Sequence, residues 1–491
     1  MRKRLFIFAA ATCFALSAFA TPAFAGEPSL PDEPTIGSEA SVQSDGNSNG
    51  NPDGNSDGNS DGNSDGNSDG NVKEDALPGG SNDALPNGEN NNSERQTNPS
   101  VAAPVVAKIG ETEYPTLQAA ITDACNGTTS SDATITITLQ SDLELTEGLR
   151  FIGSGDNADQ WKKITLDAAK HSLTLKQKGI YATRCEVTIK NCRELTVNAG
   201  TNPGNANKEN ANISAVFFGP GTLILDECAI VNITNLEPND SGGSGLCIYN
   251  GGNLCIQNNT RFTVSGFMNR TSSSSAQEGQ GGCSGIYIDS DEKVNNNYEK
   301  ITGQIVVSGN STLTATNCFH NGITANPINI LVSDNSTIDV NHNNDGSTGY
   351  GGLGCYYGTL TVSDHSLVTA YNNTAWRFAV FVDGLDIDGT SKVNVTNNGT
   401  LFYGGTGIAI SGNGILRSGA ELTSSGNCGP GVQVYSDVDD KGNFYGGGTL
   451  TVKSGATLSS CKNYNYGLAN GYNLNIESGA HVYLKENLIG G

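Results

Sequence analysis

One apolar frame recurs ten times between residues 187 and 482: an aliphatic residue, five spacers, then a second apolar residue. It runs Ile189/Leu195, Leu225/Val231, Ile256/Phe262, Val307/Leu313, Val332/Ile338, Val362/Val368, Val395/Leu401, Leu416/Leu422, Val452/Leu458 and Ile476/Val482. In nine of the ten, another aliphatic residue stands two positions upstream, and Gly414 is the exception. Apolar residues at every second position mark a strand with one buried side. The spacers, such as SGNST, SDNST, TNNGT and SGA, are turn-formers. Each frame therefore predicts two short strands joined by a tight turn. Successive frames start 36, 31, 51, 25, 30, 33, 21, 36 and 24 residues apart, so the unit repeats while its loops vary. Repeats of this kind build a solenoid.

A third strand reads glycine, aliphatic, any residue, aliphatic: Gly245-Leu246-Cys247-Ile248, Gly285-Ile286-Tyr287-Ile288, Gly407-Ile408-Ala409-Ile410 and Gly431-Val432-Gln433-Val434. Three strands per coil, stacked in register, make a parallel β-helix, and ten repetitions of one spacing argue against a sandwich or barrel. The pattern resembles the right-handed, pectate-lyase-like β-helix family over residues 106–491. A domain of that size exceeds the ~250–300 residues at which one globular core stops growing, whereas a solenoid grows in one dimension. On the order of 14 coils at roughly 4.8 Å each predicts a rod of about 65–70 Å.

Residues 1–25 read as a secretory signal, with a basic start (Arg2, Lys3, Arg4), an apolar middle and Ala23-Phe24-Ala25 at the cleavage site. Residues 26–104 read as a disordered acidic stalk. Seven tetrads of the type S/P-D/N-G-N run from Ser44 to Asn71, and fifteen acidic residues face only Lys73 and Arg95. The β-helix domain is assigned to 105–491. It opens with a strand at Val105–Ile109 and a helix at Pro115–Cys125. Leu117, Ala120, Ile121 and Ala124 share one stripe of that helix, which suits it to cap the first coil. The last frame is followed by KENLIGG with no second cap, which predicts a chain continuing past Gly491. No later segment has the length and apolarity to span a bilayer.

Eleven cysteines follow the signal, spread singly rather than as the C-x-x-C pairs of zinc or redox sites. Cys318, Cys428 and Cys461 recur near one place in the coil and Cys247 and Cys283 near another, as stacked buried residues would. The five histidines share no motif, and His365 falls in a turn.

Candidate chemistry sits in three groups. Asp383, Asp386 and Asp388 lie in a stretch resembling the polygalacturonase Asn-Thr-Asp-Gly-Ile-Asp segment. That resemblance implies acid-base carboxylates. The family's aspartate pair and histidine are replaced by Gly405-Thr406 and Val432, although glycoside hydrolysis needs two placed carboxylates. Alternating along one strand, the three aspartates are expected on one face, perturbing each other's protonation. Asp437, Asp439 and Asp440 form a calcium-like cluster, but Lys441 breaks the ligand spacing of a calcium loop. No other cofactor is indicated. Eleven of sixteen tyrosines lie at or after residue 350. Tyr356, Tyr357, Tyr403, Tyr435, Tyr445, Tyr466 and Tyr472 are the candidate ligand-binding set, because tyrosine gives rigid amphipathic area for gripping sugars or protein.

The net charge of −23 argues against nucleic acid or an anionic membrane as partner. The expectation is a secreted, cell-surface, monomeric, adhesin-like β-helix that binds a polysaccharide or glycoprotein surface without catalysis. A polysaccharide hydrolase or lyase is the alternative, and a passive rod the third reading.

Overall fold

The computed structural model describes residues 104–127, 133–154, 160–198, 214–235, 244–267, 284–289, 303–343, 351–375, 377–400, 404–438, 444–470 and 473–489. Residues 1–25, read from the sequence as a signal, and nearly all of 26–104, read as a stalk, lie outside the described residues, as do Cys283, Tyr403, Tyr472, Asp439 and Asp440. The described chain is a parallel β-helix with three strands per coil. Face A is the stack that begins at Ile135–Leu139 and ends at Asn473–Ile476. Face B begins at Leu143–Leu145 and ends at His481–Tyr483. Face C begins at Leu149–Ile152 and ends at Leu468–Asn470. The chain passes A, B, C and returns to A one coil further along, each strand pairing in parallel with its counterpart in the next coil.

Face B holds twelve strands among the described residues, which therefore make twelve coils against the fourteen or so expected. Long insertions use up the residues that a uniform coil length would have turned into two more. Eleven spacings of about 4.8 Å give roughly 53 Å.

The frame marks the end of each face A strand and the start of the face B strand beyond. Ile189, Leu225, Ile256, Val307 and Val332 stack in register on face A, and Leu195, Val231, Phe262, Leu313 and Ile338 on face B. One assignment is corrected. Val395 belongs inside the face B strand Lys392–Thr396, and the true pair of that coil is Ile387/Val393. The upstream Val393 is apolar too, so the same spacing fitted a frame displaced by eight residues. Two coils also precede the first frame recognised. Ile137/Leu143 obeys the spacing, while Leu166/Leu173 carries one extra residue in the turn.

The turns from face A to face B hold only three or four residues throughout. They close because consecutive residues adopt left-handed backbone, as at Asn258-Asn259, Gly309-Asn310, Asp334-Asn335 and Asp364-His365. A column of hydroxyls ties these turns together. The Thr260, Ser311, Ser336, Ser366 and Ser391 side chains each accept from the backbone N–H one coil earlier, at 3.0–3.2 Å.

Where face B gives way to face C, a left-handed residue (Asn317, His342, Asn372, Asn397, Lys462, Glu486) precedes a side chain that is buried in every case but the last, where Asn487 is half-buried. From Asn343 onward that side chain is asparagine: Asn343, Asn373, Asn398, Asn427, Asn463 and Asn487. Each Oδ1 accepts the backbone N–H and, within the ladder, the side-chain Nδ2 of its predecessor at 3.0–3.1 Å. Cys318 heads this ladder, Cys428 lies one residue beyond its own rung, and Cys461 ends a face B strand. These three cysteines are therefore not structurally equivalent.

The helix α1 spans Leu117–Asn126, and the strand before it begins at Ala107 rather than Val105. The hydroxyl of Thr116 accepts the Ala119 N–H at 3.2 Å and caps the helix. Leu117, Ala120, Ile121 and Ala124 are buried against the first coils, as their stripe predicts. Cys125, beside them, meets the thiol of Cys185, and that hydrogen bond makes Cys125 the more acidic of the two.

Candidate functional site: the outer surface of face C

All long connections join face C. Segments 199–213, 236–243, 268–283 and 344–350 enter it from face B, and 290–302 leaves it for face A. Another connection carries the antiparallel pair Ser436–Val438 and Phe444–Gly447. Face C is thus the floor between two variable edges.

Its inward residues, such as Ile286, Ile288, Ile323, Ala325, Val380 and Val382, belong to the core. The alternate residues point outward. At the C-terminal coils the outward rings Tyr356, Phe381 and Tyr435 are joined through Phe378, which is 7% exposed and shares the parity of Val380 and Val382. Tyr356 lies 5.2 Å from Phe381, Phe381 lies 5.4 Å from Phe378, and Phe378 meets Tyr435 edge-on at 5.4 Å. Gly354 makes this possible: a Cβ there would sit 2.7 Å from the Tyr356 ring, which folds back over the glycine. Nearer the N-terminus Tyr181 and Phe217 stack at 5.5 Å in register, with the Arg150 guanidinium 5.6 Å from the Tyr181 ring.

Between the two aromatic groups the outer surface turns polar and recessed. Cys247, Ser284, Tyr287, Asp289, Asn321 and Thr324 point away from the core or edge this floor, yet each is at least nine-tenths buried. Tyr287 Oη donates to Asp289 Oδ2 at 3.0 Å. Burial first, and the Asp289 charge second, raise the Tyr287 phenol far above its usual range, so it stays protonated. Burial pushes Cys247 up to about 12.

Of the tyrosine set, Tyr356 and Tyr435 come together through Phe378 and Phe381, which the sequence reading overlooked. The alternation in Phe-Ala-Val-Phe-Val places Phe381 opposite the core pair Val380 and Val382 and was the available signal. Tyr357 and Tyr466 are exposed elsewhere, Tyr357 with left-handed backbone just past the cluster strand's inward turn. Tyr445 pairs through its backbone with Asp437 in the antiparallel insertion, and both side chains lie outside the described residues. Tyr464, outside the candidate set, borders a shallow depression of about 380 Å³ with Cys428, Lys462 and Leu488.

The three aspartates do not form one constellation. Asp383 sits at the corner where the strand Phe378–Ile387 passes from face C to face A, and it accepts Ser411 Oγ at 2.8 Å. Asp386 on face A is held by Arg417 in a two-pronged ion pair of 2.8 and 2.7 Å. Asp388 belongs to the turn beyond, accepting the N–H groups of Asp364 at 2.8 Å and Thr390 at 3.0 Å. Burial pulls the Asp388 carboxyl upward, but these bonds together with the Ser391 and Thr390 hydroxyls outweigh it and leave the group more acidic than usual.

Because its folded pKa is depressed, Asp388 stabilises the protein above the ordinary carboxylate pKa. That contribution disappears as pH falls through the folded value. Asp388→Ala should cost about 1 kcal/mol at neutral pH, solvent screening included. The gap to the parent should close in strong acid. Chemical denaturation at both pH values measures it, and an equal gap in acid would exclude the charged turn as the cause.

Among the described residues no group of three or more His, Cys, Asp or Glu converges to hold a metal, and no helix is long and apolar enough to cross a membrane. No protein-family model, no curated protein and no solved structure matches the chain.

Proposed function

We propose that the protein is a non-catalytic, adhesin-like binder of polysaccharide or glycoprotein glycans at the cell surface, gripping its ligand along the outer surface of face C. The observation that carries this reading is the Tyr356–Phe381–Phe378–Tyr435 ring chain on a floor bordered by insertions. The half-buried Tyr356, Phe381 and Tyr435 offer ring surface to sugars, with the buried Phe378 holding Phe381 and Tyr435 in place, and an extended strand stack suits an extended polymer. The kinship to pectate-lyase-like proteins proposed from the sequence accords with a three-faced coil. Hydrolysis would need two carboxylates on either side of one bond. Asp383, Asp386 and Asp388 are instead occupied separately by Ser411, Arg417 and the Asp364–Thr390 turn.

Retention on immobilised plant, mucin and wall polysaccharides tests the proposal, with product release assayed alongside. The parent should be retained without generating new reducing ends or unsaturated products. Phe381→Ala should weaken retention about tenfold, as expected for a lost stacking aromatic. Its melting temperature reports whether the fold survives. A well-folded variant retained as well as the parent would sink the proposal, and product release abolished by Asp386→Ala would establish the hydrolase instead.

A further inference from the structure

Two carboxamide oxygens at the polar centre of face C are buried without a hydrogen-bond partner: Asn321 Oδ1 and Asn326 Oδ1. Asn321 is 6% exposed, and its Nδ2 donates to Thr324 Oγ1 at 2.8 Å, leaving Oδ1 as the end without a partner. The Thr324 hydroxyl lies 3.3 Å from Ser284 Oγ, so the Asn321 amide is anchored to a network on the outer surface. Asn326 stands in register with Asp289, two residues beyond Thr324 on the same strand, and shares its outward orientation. Buried acceptors left empty are costly, and a donor from outside relieves them.

The sign of the surroundings narrows what that donor belongs to. Among the outward strand positions of face C from Ile180–Thr183 to Val432–Val434, the charged residues are Asp289 and the corner residue Asp383. None is Lys or Arg. Arg150, in the first face C strand, is engaged over the Tyr181 ring, and Arg184 and Arg377 lie outside the strands and have partners. The protonated Tyr287 and Cys247 add no positive charge.

We infer that the centre of face C takes a neutral polysaccharide, whose hydroxyl groups donate to Asn321 Oδ1 and Asn326 Oδ1, and rejects polyuronate. This rests on the glycan-binding reading. A neutral sugar brings hydroxyl donors without charge. A uronate brings carboxylates that are acceptors only, into a field of their own sign. The rings on either side of the recess stack on sugars regardless of charge, so discrimination falls to this polar centre.

The test is titration of the full chain with a soluble neutral β-glucan, with polygalacturonate and with chitosan, at low and high salt. The neutral polymer should bind best, with affinity insensitive to salt. Asn326→Leu and Asn321→Leu should each weaken it about tenfold, the loss of one hydrogen bond to a buried acceptor, with unchanged melting temperature for at least one of the pair. Preference for polygalacturonate or chitosan, with affinity falling as salt rises, would overturn the inference and leave glycan binding standing. Neutral binding untouched in both folded variants would overturn the asparagine assignment. Binding to none of the three polymers, nor to the polysaccharides of the retention panel, would remove the glycan reading as well.

Discussion

Replacing Asn398 by alanine should lower the stability of the β-helix by about 3–5 kcal/mol, more than truncating most single core methyl groups. Asn398 is fully buried and takes part in six hydrogen bonds, four of them through its side chain. Its Oδ1 accepts both the backbone N–H and the side-chain Nδ2 of Asn373, each at 3.0 Å. Its Nδ2 donates to Ala370 O and Asn427 Oδ1, again at 3.0 Å. Only its two backbone bonds, the N–H to Asn427 Oδ1 and the carbonyl from Cys428 N–H, survive the substitution. Alanine leaves the Asn373 N–H and the Ala370 carbonyl buried without those partners, and each such orphan costs about 1–3 kcal/mol. The neighbouring Asn397 supplies the contrast. Its backbone is left-handed at φ +55°, and in the next coil Gly426 occupies the equivalent position. Asn397→Gly should therefore change stability by about 0.5 kcal/mol or less. Denaturant titration of both variants decides the matter, and equal, small effects would mean the ladder is not a stabilising element.

Gly179→Ala should cost about 3 kcal/mol, for a reason that lies along the rod axis. Each face C strand is entered by a residue whose Cβ points at the carbonyl of the equivalent residue one coil on. At Gly179 that Cβ would stand 1.5 Å from the Ala215 carbonyl oxygen, and at Gly285 2.6 Å from the Gly322 oxygen. These are backbone atoms engaged in the ladder: Leu149 donates to Gly179 O and Ile180 to Ala215 O, both at 3.0 Å. They cannot move aside without opening two rungs. The column nevertheless holds Ala215 and Ala379, so space for a methyl exists at some coils and not at others. Ala215→Gly should accordingly be mild, about 0.5–1 kcal/mol. A Gly179→Ala variant with the parent's unfolding midpoint would refute the axial clash.

The coil was legible because its apolar residues sit at fixed offsets from one another. The displaced frame at Val395 shows the limit of that signal. Val393 and Val395 both face the core of one strand, so spacing alone admitted a second solution. The asparagine ladder was equally periodic, five residues after each face B apolar residue: Ile338 to Asn343, Val368 to Asn373, Leu422 to Asn427, Leu458 to Asn463. It escaped notice because asparagine in such segments is normally turn composition, and because the displaced frame broke the series at Asn398. The Ser336, Ser366 and Ser391 column was hidden for the same reason. Polar residues become part of the interior here only through partners one coil away, which no local window contains.

The candidate site was legible only in part. Tyr356 and Tyr435 were found by counting tyrosines. Their joining by Phe378 and Phe381 depends on registry between coils that are tens of residues apart. The aspartates looked like one group because they are close in sequence. The strand turns a corner between Asp383 and Asp386, and proximity along the chain is lost there.

The insertions that border face C have a consequence for how such a protein can change over generations. Coil length varies from 23 residues (Leu166 to Ile189) to 51 (Ile256 to Val307), yet the paired residues of the adjoining strands keep their partners. Lengthening, shortening or exchanging a segment such as 268–283 therefore changes the connection while the rungs on either side keep their register. Length is therefore tolerated in the connections while pairing is carried by the strands, so a lineage can gain or lose whole segments without passing through an unstable ancestor.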